Sequence, residues 1–285
     1  NTLTRRQFGA ITAAAALSAA GTSHADPAGP KIVKLGTIDI DLVETTPIVF
    51  NGKVYRYEYV RERYKKNTTG KSYSRFIDHE TGETTPAFAE GYHLGSAAVD
   101  GDQVIVTVTD IWDGEKVDIF VSKDLQTWEH WNALDLPGYG IFNTSLCKDP
   151  QGYILMFEIG KPAEEAGTRF TARFARSTDL KTWTLTPPEC NYAKDRYTAP
   201  HCLRYVDGFY YNFYLESMKG GYAQSVVRSK DLITWERTPI HPFLMWGDED
   251  KQIANPKFTE EQRKHITDSE NRNNSDFDYC EFEGK

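Results

Sequence analysis

Cysteine, methionine and clustered positive charge are all scarce in this sequence. Its 285 residues contain four Cys and three Met, and this is far less cysteine than a scaffold held together by disulfides needs. The formal net charge is −8 and no run of Lys or Arg stands out. A nucleic-acid partner or an anionic membrane surface would call for a basic patch, so we predict neither.

Long apolar runs are also missing. The Ala-rich run from Gly9 to Ala20 is shorter than the roughly 20 residues that a membrane-spanning helix needs, so we predict no stable membrane insertion. Two arginines, Arg5 and Arg6, precede this run, and Ser23-His24-Ala25 places small residues at a cleavage site. Residues 1–25 therefore resemble a twin-arginine signal peptide more than a membrane anchor. We expect a periplasmic or secreted protein.

Aromatic residues are abundant instead, and a repeat organises them. The sequence has 16 Tyr, 15 Phe and 6 Trp, a composition that favours β-structure. The pattern S-x-D-L-x-T-W occurs at 122–128, 177–183 and 229–235, so the copies start 55 and 52 residues apart. Ser and Asp at these spacings favour a turn, and Leu and Trp can pack inward. A motif present in every unit is structural and cannot single out one active site.

A second repeat precedes each tag: an alternating apolar strand, a turn and an aromatic strand. Units of about 50 residues that each form a small antiparallel sheet predict an all-β protein, a β-propeller. We count five unit starts and predict a five-bladed propeller over residues 41–285, with an incomplete last blade at a truncated C-terminus. Residues 26–40 are predicted to be a linker and a first edge strand. The starts lie at 45–60, 95–110, 144–159, 198–216 and 275–285.

Two long excursions interrupt the repeats, at 61–90 and 241–274, and are interpreted as functional walls or as solvated decoration. Thr259 to Gln262 resembles a capping box that opens a helix extending to about Ser269. The acidic stretch 247–250 offers oxygen ligands but lacks the alternation of a known Ca²⁺ loop. No cofactor is predicted with certainty, and a structural divalent cation such as Ca²⁺ stays open.

The five units, their tags and strand starts such as TAPHCLRYVDGFYY at 198–211 resemble the five-bladed propeller glycosidases of glycoside hydrolase family 43 and its relatives, including family 117. The resemblance covers nearly all of residues 40–285. It implies that the innermost strand of each blade begins at the mouth of a central funnel, where the catalytic carboxylates stand. It also implies a base on the first blade, a supporting Asp on the third and an acid Glu on the fourth.

Aligning the repeats of this chain gives the residues expected around that mouth. They are Glu44, His93, Asn143, Thr198 and Asp276. Glu44 matches the position of the base, whereas Asn143 and Thr198 replace the supporting acid and the general acid. A threonine hydroxyl cannot protonate a leaving group at neutral pH.

The missing acid therefore has to come from elsewhere, if the protein is catalytic. Asp276 and Asp278 share a strand face, and Asp276 would neighbour Glu44 when blades one and five meet. Such a carboxylate pair is what glycosidic hydrolysis needs. The resemblance to family 117 also makes His93 or His201 a candidate acid, although a lone His in a strand is more often a packed, hydrogen-bonded residue.

Further candidates lie on the second strands and around the mouth. Glu58, Glu158 and Glu216 either line the site or are braces held by arginine and backbone N–H groups. Matching positions in two blades should project alike, so Glu58 and Glu158 are expected to face the same way. Arg75 is a candidate for recognising an acidic sugar. Aromatic rings expected to stack on sugar faces are Tyr92, Phe142, Tyr197 and Trp246.

The sequence thus predicts an exported glycoside hydrolase with Glu44 and Asp276 as primary carboxylates. A non-catalytic carbohydrate-binding propeller is the main alternative, and a protein-binding scaffold is a third. Cys147, Cys202 and Cys280 are predicted to fill small sites in the core rather than bind a metal.

Overall fold

A computed structural model describes residues 32–284 of the chain. These residues form four antiparallel sheets arranged as the blades of a β-propeller, which confirms the all-β prediction. The predicted signal peptide at 1–25 lies outside the described residues, as does the start of the predicted linker. Residues 32–40 form no regular strand, and Thr37 makes one isolated bridge with Ile253.

Each blade is a meander that starts with its innermost strand. Blade 1 contains β1 (Thr46–Phe50), β2 (Lys53–Val60) and β3 (Tyr73–Asp78). Blade 2 contains β4 (His93–Asp100), β5 (Gln103–Thr109), β6 (Lys116–Ser122) and β7 (Glu129–Asp135). Blade 3 contains β8 (Gly140–Asp149), β9 (Gly152–Lys161), β10 (Thr171–Ser177) and β11 (Thr184–Leu185). Blade 4 contains β12 (Thr198–Val206), β13 (Phe209–Met218), β14 (Gly221–Ser229) and β15 (Glu236–Arg237), with β16 (Leu244–Met245) paired to β14.

The prediction of five blades is wrong for the part of the chain that the structure describes, which holds four. Residues 275–284, the fifth unit start, form no strand. A strand needs a neighbour to complete its backbone ladder, and no strand within 32–284 pairs with this segment. Side chains hold it instead, because Phe277 and Tyr279 pack on Phe213 with ring centroids 5.2 and 5.4 Å apart.

Apolar layers between neighbouring blades form the core. Tyr57 and Phe76 of blade 1 pack on Val106 of blade 2, and comparable layers lie between blades 2 and 3 and between blades 3 and 4. Successive side chains of β9 point to opposite faces of the sheet, so this strand contributes to two apolar layers. Phe157 faces blade 2 and Met156 faces blade 4. Burial on both faces explains why the second strands are so apolar and aromatic.

The repeated tag is a tight turn stabilised by its own polar side chains. In the second copy, Ser177 Oγ accepts the Leu180 N–H at 2.9 Å, and Asp179 Oδ1 accepts two further backbone N–H groups. These backbone hydrogen bonds lower the pKa of Asp179 to about 2. Leu180 has a φ of +65°, and its side chain is buried in the core. The turn therefore anchors the outer edge of the blade, as predicted.

Two helices lie in the loops: α1 (Ala163–Ala166) and α2 (Glu260–Asp268). The predicted capping box is present, with Thr259 and Gln262 capping each other's backbone N–H, and α2 ends one residue before Ser269. Among the described residues, neither helix has the length and apolar character that crossing a bilayer requires.

Candidate functional site

A narrow cavity opens where the innermost strands begin. Its volume is about 30 Å³, enough for a water molecule and too small for a sugar ring. Polar side chains from several blades line it together with the 275–284 segment. They are Glu44, Ser96, Asn143, His201, Asp276 and Asp278.

Glu44 and Asp276 meet at this cavity. Burial is the main reason that the pKa of Glu44 lies well above its usual range, and the negative charge of Asp276 raises it further. Burial also raises the pKa of Asp276, whereas hydrogen bonds from Ser275 and from the Glu44 backbone partly oppose this. The two carboxyls are thus close enough to interact electrostatically.

Arg61 is a cation that lies beside this pair and was not predicted from the repeats. Its Nη2 lies 3.6 Å from Glu44 Oε1 and lowers the pKa of Glu44 against the larger effect of burial. The other oxygen, Glu44 Oε2, is buried and has no hydrogen-bond partner in residues 32–284. Arg61 directly follows β2, so its position at the end of an aromatic strand was the available signal.

A buried carboxylate–histidine pair forms the opposite wall. Glu158 Oε1 accepts hydrogen bonds from the backbone N–H of His201 and pairs with His201 Nδ1, both at 2.9 Å. Glu158 Oε2 accepts from Asn143 Nδ2 at 2.8 Å. Both Glu158 and His201 have fully buried side chains. His201 Nε2 and Asn143 Oδ1 are left without a partner among the described residues, so the cavity wall carries unused polar atoms.

Irregular pairing decides which residues reach the cavity. The pairing of β12 with β13 shifts register between Thr198 and His201, and β4 shifts against β5 between His93 and Gly95. Such bulges displace the residues before them along the strand. The structure accordingly places His201, not Thr198, in the cavity lining, and it places Gly95 rather than His93 there.

His93 and Thr198 are therefore located away from the cavity lining. His93 Nδ1 hydrogen-bonds the Tyr59 hydroxyl at 2.7 Å, and burial lowers the pKa of His93. Thr198 is fully buried, and its hydroxyl has no partner in the described part of the chain.

The expectation that Glu58 and Glu158 project alike is wrong. Phe50 pairs with Lys53 across the blade 1 hairpin, whereas Asp149 pairs with Gly152 in blade 3. Glu58 and Glu158 each lie six residues after a glycine, Gly52 and Gly152, but these two glycines occupy hairpin positions that differ by one residue. A shift of one residue reverses the face of the strand on which a side chain lies. The residue of blade 1 that corresponds to Glu158 is Tyr59, which contacts His93 of the next blade just as Glu158 contacts His201.

Glu58 and Arg75 pair with each other instead of lining the cavity. Arg75 Nε donates to Glu58 Oε2 at 2.7 Å, and Lys66 Nζ binds the other oxygen of the fully buried Glu58. Both positive charges are thereby engaged, so Arg75 is not available as an acidic-sugar receptor. Glu216 is likewise braced, because it pairs with His241 at 3.2 Å and accepts from Ser225 at 3.0 Å.

Asp278 holds the 275–284 segment against blade 4. Its Oδ1 pairs with Arg204 Nη2 and accepts a hydrogen bond from the Cys202 thiol at 3.2 Å. Cys147 and Cys202 are buried and free, as predicted for core residues, but the same prediction is wrong for Cys280, which is half-buried because residues 275–284 form no strand. Burial raises the pKa of the Cys147 thiol to about 12.

The four aromatic residues expected at the rim lie in different places. Tyr92 is turned toward blade 2, where its hydroxyl contacts His130 at 3.1 Å and its ring packs edge-on against Phe120. Tyr197 is exposed beside the mouth, whereas Phe142, linked to it through Phe170, is fully buried, so the prediction that Phe142 stacks on a sugar is wrong. Trp246 covers Gly221, where an added Cβ would come within 3.0 Å of its ring.

Residues 32–284 hold no group of three or more His, Cys, Asp or Glu side chains arranged to bind a metal ion. The acidic stretch 247–250 opens a short 3₁₀ turn, in which Asp250 pairs with Lys34 at 2.9 Å and accepts from Asn271 at 2.7 Å. Asp250 is thus already satisfied by protein groups.

Comparison with solved structures finds proteins of similar fold. The structure is similar to the glycoside hydrolase family 43 protein BlXynB from Bacillus licheniformis, with a TM-score of 0.51 and 13% identity. It is also similar to the family 32 β-fructofuranosidase BmSUC1 from Bombyx mori, with a TM-score of 0.50 and 13% identity. The chain shares a β-propeller fold with these glycoside hydrolases. The similarity covers 73% and 70% of this chain but only 43% and 48% of those two proteins, so the chain spans less than half of their length.

A third structure, titled a glycoside hydrolase, matches with a TM-score of 0.53 and 14% identity over 75% of this chain and 79% of its own. No protein-family model matches the chain. A search of curated proteins likewise found no match. At such low identities, the shared property is the propeller fold.

Proposed function

We propose that this protein is an exported glycoside hydrolase that cleaves a glycosidic bond in an oligo- or polysaccharide by carboxylate acid/base chemistry. The observation that carries this proposal is the meeting of Glu44 and Asp276 in one cavity at the mouth of a glycosidase-type propeller. Their carboxyls interact electrostatically and are both protonated more readily than usual. Two interacting carboxyl groups, one able to hold a proton and one able to act when ionised, are what acid/base hydrolysis of a glycosidic bond needs.

The electrostatics favour Glu44 as the general acid. Burial and the negative charge of Asp276 raise the pKa of Glu44, whereas Asp276 receives hydrogen bonds that favour its ionised form. Glu44 would donate its proton to the glycosidic oxygen as the bond breaks, and ionised Asp276 would act on the sugar or on a water molecule. This reverses the role implied by the sequence resemblance, in which the first-blade carboxylate is the base.

The Glu158–His201 pair offers further polar contacts to a bound sugar. Glu158 holds Nδ1 and so fixes the ring of His201, which lines the cavity and whose Nε2 has no partner among the described residues. The unpartnered Nε2 of His201 can therefore accept a hydrogen bond from a sugar hydroxyl, and Asn143 Oδ1 can accept another.

The test is hydrolysis of a broad glycan panel by the wild type and by Glu44→Gln and Asp276→Asn. We expect each variant to lower kcat about 10²- to 10⁴-fold, the usual contribution of one acid/base group, with little change in glycan binding. The matched control is Glu129→Gln on the exposed β7, which should retain full activity. Glycan binding without turnover by the intact protein would refute the hydrolase and favour a carbohydrate-binding propeller.

A further inference from the structure

Arg169 is the unusual cation at the rim of the mouth. Its guanidinium lies over Phe142 at 4.6 Å and over Phe170 at 5.1 Å. Gly160 allows this placement, because a Cβ at that position would come within 3.1 Å of both Arg169 Cγ and the Phe142 ring. Within the described chain, Arg169 is exposed and pairs with no carboxylate. Stacking orients a guanidinium and leaves its N–H edge available to a ligand.

The other arginines near the mouth are already engaged. Arg61 lies 3.6 Å from Glu44, and Arg196 donates to Asp195 at 2.9 Å and to the Tyr192 hydroxyl at 2.7 Å. Arg169 is therefore the cation whose charge is free to be matched by a bound molecule.

Aromatic rings extend from Arg169 in both directions as a continuous arc across blades 2 to 4. Successive ring centroids lie 5.2, 4.7, 5.7 and 6.0 Å apart. Trp112 at one end is 49% exposed, Tyr197 is 39% exposed, and Phe170 and Tyr222 are half-buried, whereas Phe142 is fully buried and supports its neighbours from below. The four rings with exposed surface suit the faces of successive sugar rings. The members are Trp112, Phe142, Phe170, Tyr197 and Tyr222.

The arc is continuous with the cavity. Phe142 immediately precedes Asn143, which lines the cavity. Burial raises the pKa of Tyr197 to about 12, and the negative charges of Glu158 and Asp276 add to this effect. The Tyr197 hydroxyl therefore lies within electrostatic reach of the cavity carboxylates. A glycan whose cleaved bond lies at the opening of the cavity would place its next sugars along the arc.

We propose that the arc and Arg169 bind an extended glycan that carries an anionic group, either a uronate carboxylate or a sulfate ester, on a sugar adjoining the cleaved bond. This inference rests on the proposed hydrolase function of the cavity. Charge explains why the anionic group would lie on the adjoining sugar rather than in the cavity, because the carboxylates in the cavity repel an anion and Arg169 attracts it. The planar guanidinium can also donate hydrogen bonds to two oxygens of a carboxylate or sulfate at once.

The test measures binding of paired oligosaccharides by calorimetry with the full chain. Oligogalacturonides are compared with neutral β-1,4-galacto-oligosaccharides for the carboxylate, and carrageenan oligosaccharides with agarose oligosaccharides for the sulfate. We expect the wild type to prefer one anionic ligand over its neutral counterpart by roughly tenfold or more, as one charge-assisted hydrogen-bond pair allows. Arg169→Gln should remove that preference, and Arg169→Lys should restore it in part.

The matched control is Arg228→Gln. Arg228 is stacked over Phe209 at 4.6 Å in the same manner, but on an outer strand of blade 4 and paired with Glu236. The Arg228→Gln variant should leave the preference for the anionic ligand unchanged.

The anionic site would be overturned if the wild type bound both members of each pair equally, or if Arg169→Gln weakened the binding of both members equally. Hydrolysis of neutral glycans without charge preference would refute only this inference, whereas anionic binding without turnover would refute only the hydrolase.

Discussion

At the scale of single residues, neighbouring carboxylates differ in what they pair with. Glu58 and Glu158 are both fully buried on second strands. Glu58 is matched by Lys66 and Arg75, whereas Glu158 is matched by a histidine and an amide that face the cavity. One carboxylate is a brace and the other belongs to the candidate site. Composition alone does not separate the two roles.

This difference predicts opposite phenotypes for two matched variants. Glu58→Gln leaves two partly buried cations without their counter-charge and should lower the free energy of unfolding by up to about 3 kcal/mol, the lower end of what breaking a buried pair costs. It should leave the kcat of the folded protein unchanged. Glu158→Gln should release His201 and lower kcat, with a shifted pH profile. Urea unfolding and kcat at several pH values test both, and a Glu58→Gln variant with a selective kcat defect would contradict the assignment.

The raised pKa of Glu44 predicts how stability depends on pH. The folded protein holds this proton at a pH where the unfolded chain has released it, so more protons are bound in the folded state. Stability contributed by this group is therefore lost as the pH rises from about 4, the unfolded value, through the folded pKa. Glu44→Gln cannot ionise and should be more stable than the wild type at neutral pH.

The measurement is chemical unfolding of the wild type and Glu44→Gln from pH 4 to pH 8. The two stabilities should converge toward the acid end and diverge as the pH rises. A Glu44→Gln variant that is less stable than the wild type by a constant amount at every pH would mean that Glu44 is held by its contacts with Arg61.

At the scale of structural elements, the tag turns show how a short motif stabilises a blade edge. In the third copy, Ser229 Oγ accepts the buried Leu232 N–H at 2.9 Å, and Trp235 Nε1 donates to the Leu232 carbonyl at 3.0 Å. In the first copy Trp128 instead stacks on Phe88, with centroids 3.9 Å apart. The turn is therefore common to the copies, while the packing of its Trp adapts to each blade.

Ser229→Ala should lower the free energy of unfolding by about 1–2 kcal/mol, because it leaves a buried N–H without an acceptor. The exposed Ser217 on β13 provides the control, and Ser217→Ala should change stability by less than about 0.5 kcal/mol. Equal effects in the two variants would show that the turn hydrogen bonds contribute nothing specific.

At the scale of the whole molecule, the ring of blades is least regular at residues 275–284. The equivalent starts in blades 1 to 4 are strands with backbone ladders, and this segment is held by side chains such as Asp278 and Phe277. Backbone groups without a ladder exchange with solvent more readily. Because Asp276 lies on this segment, the candidate site includes a part of the described chain that has no backbone ladder.

Hydrogen exchange should reveal this difference. Amides of 276–283 should exchange faster than those of 46–50 and 144–149, which lie in regular strands. Thiol labelling gives an independent readout, since half-buried Cys280 should react before the buried Cys147 and Cys202. Protection of 276–283 equal to that of the blade strands would indicate a regular fifth innermost strand.

The sequence by itself determined the propeller architecture, the tag turns and the helix cap, because each depends on local spacing that is legible along the chain. It also placed Glu44 and Asp276 together, since both hold the same position in the repeat. Only the tertiary structure decided the number of sheets, the place of His201 and the different roles of Glu58 and Glu158. Bulges and hairpin ends shift register by single residues without disturbing the apolar pattern, so counting along the repeats cannot reveal which side chains meet across blades.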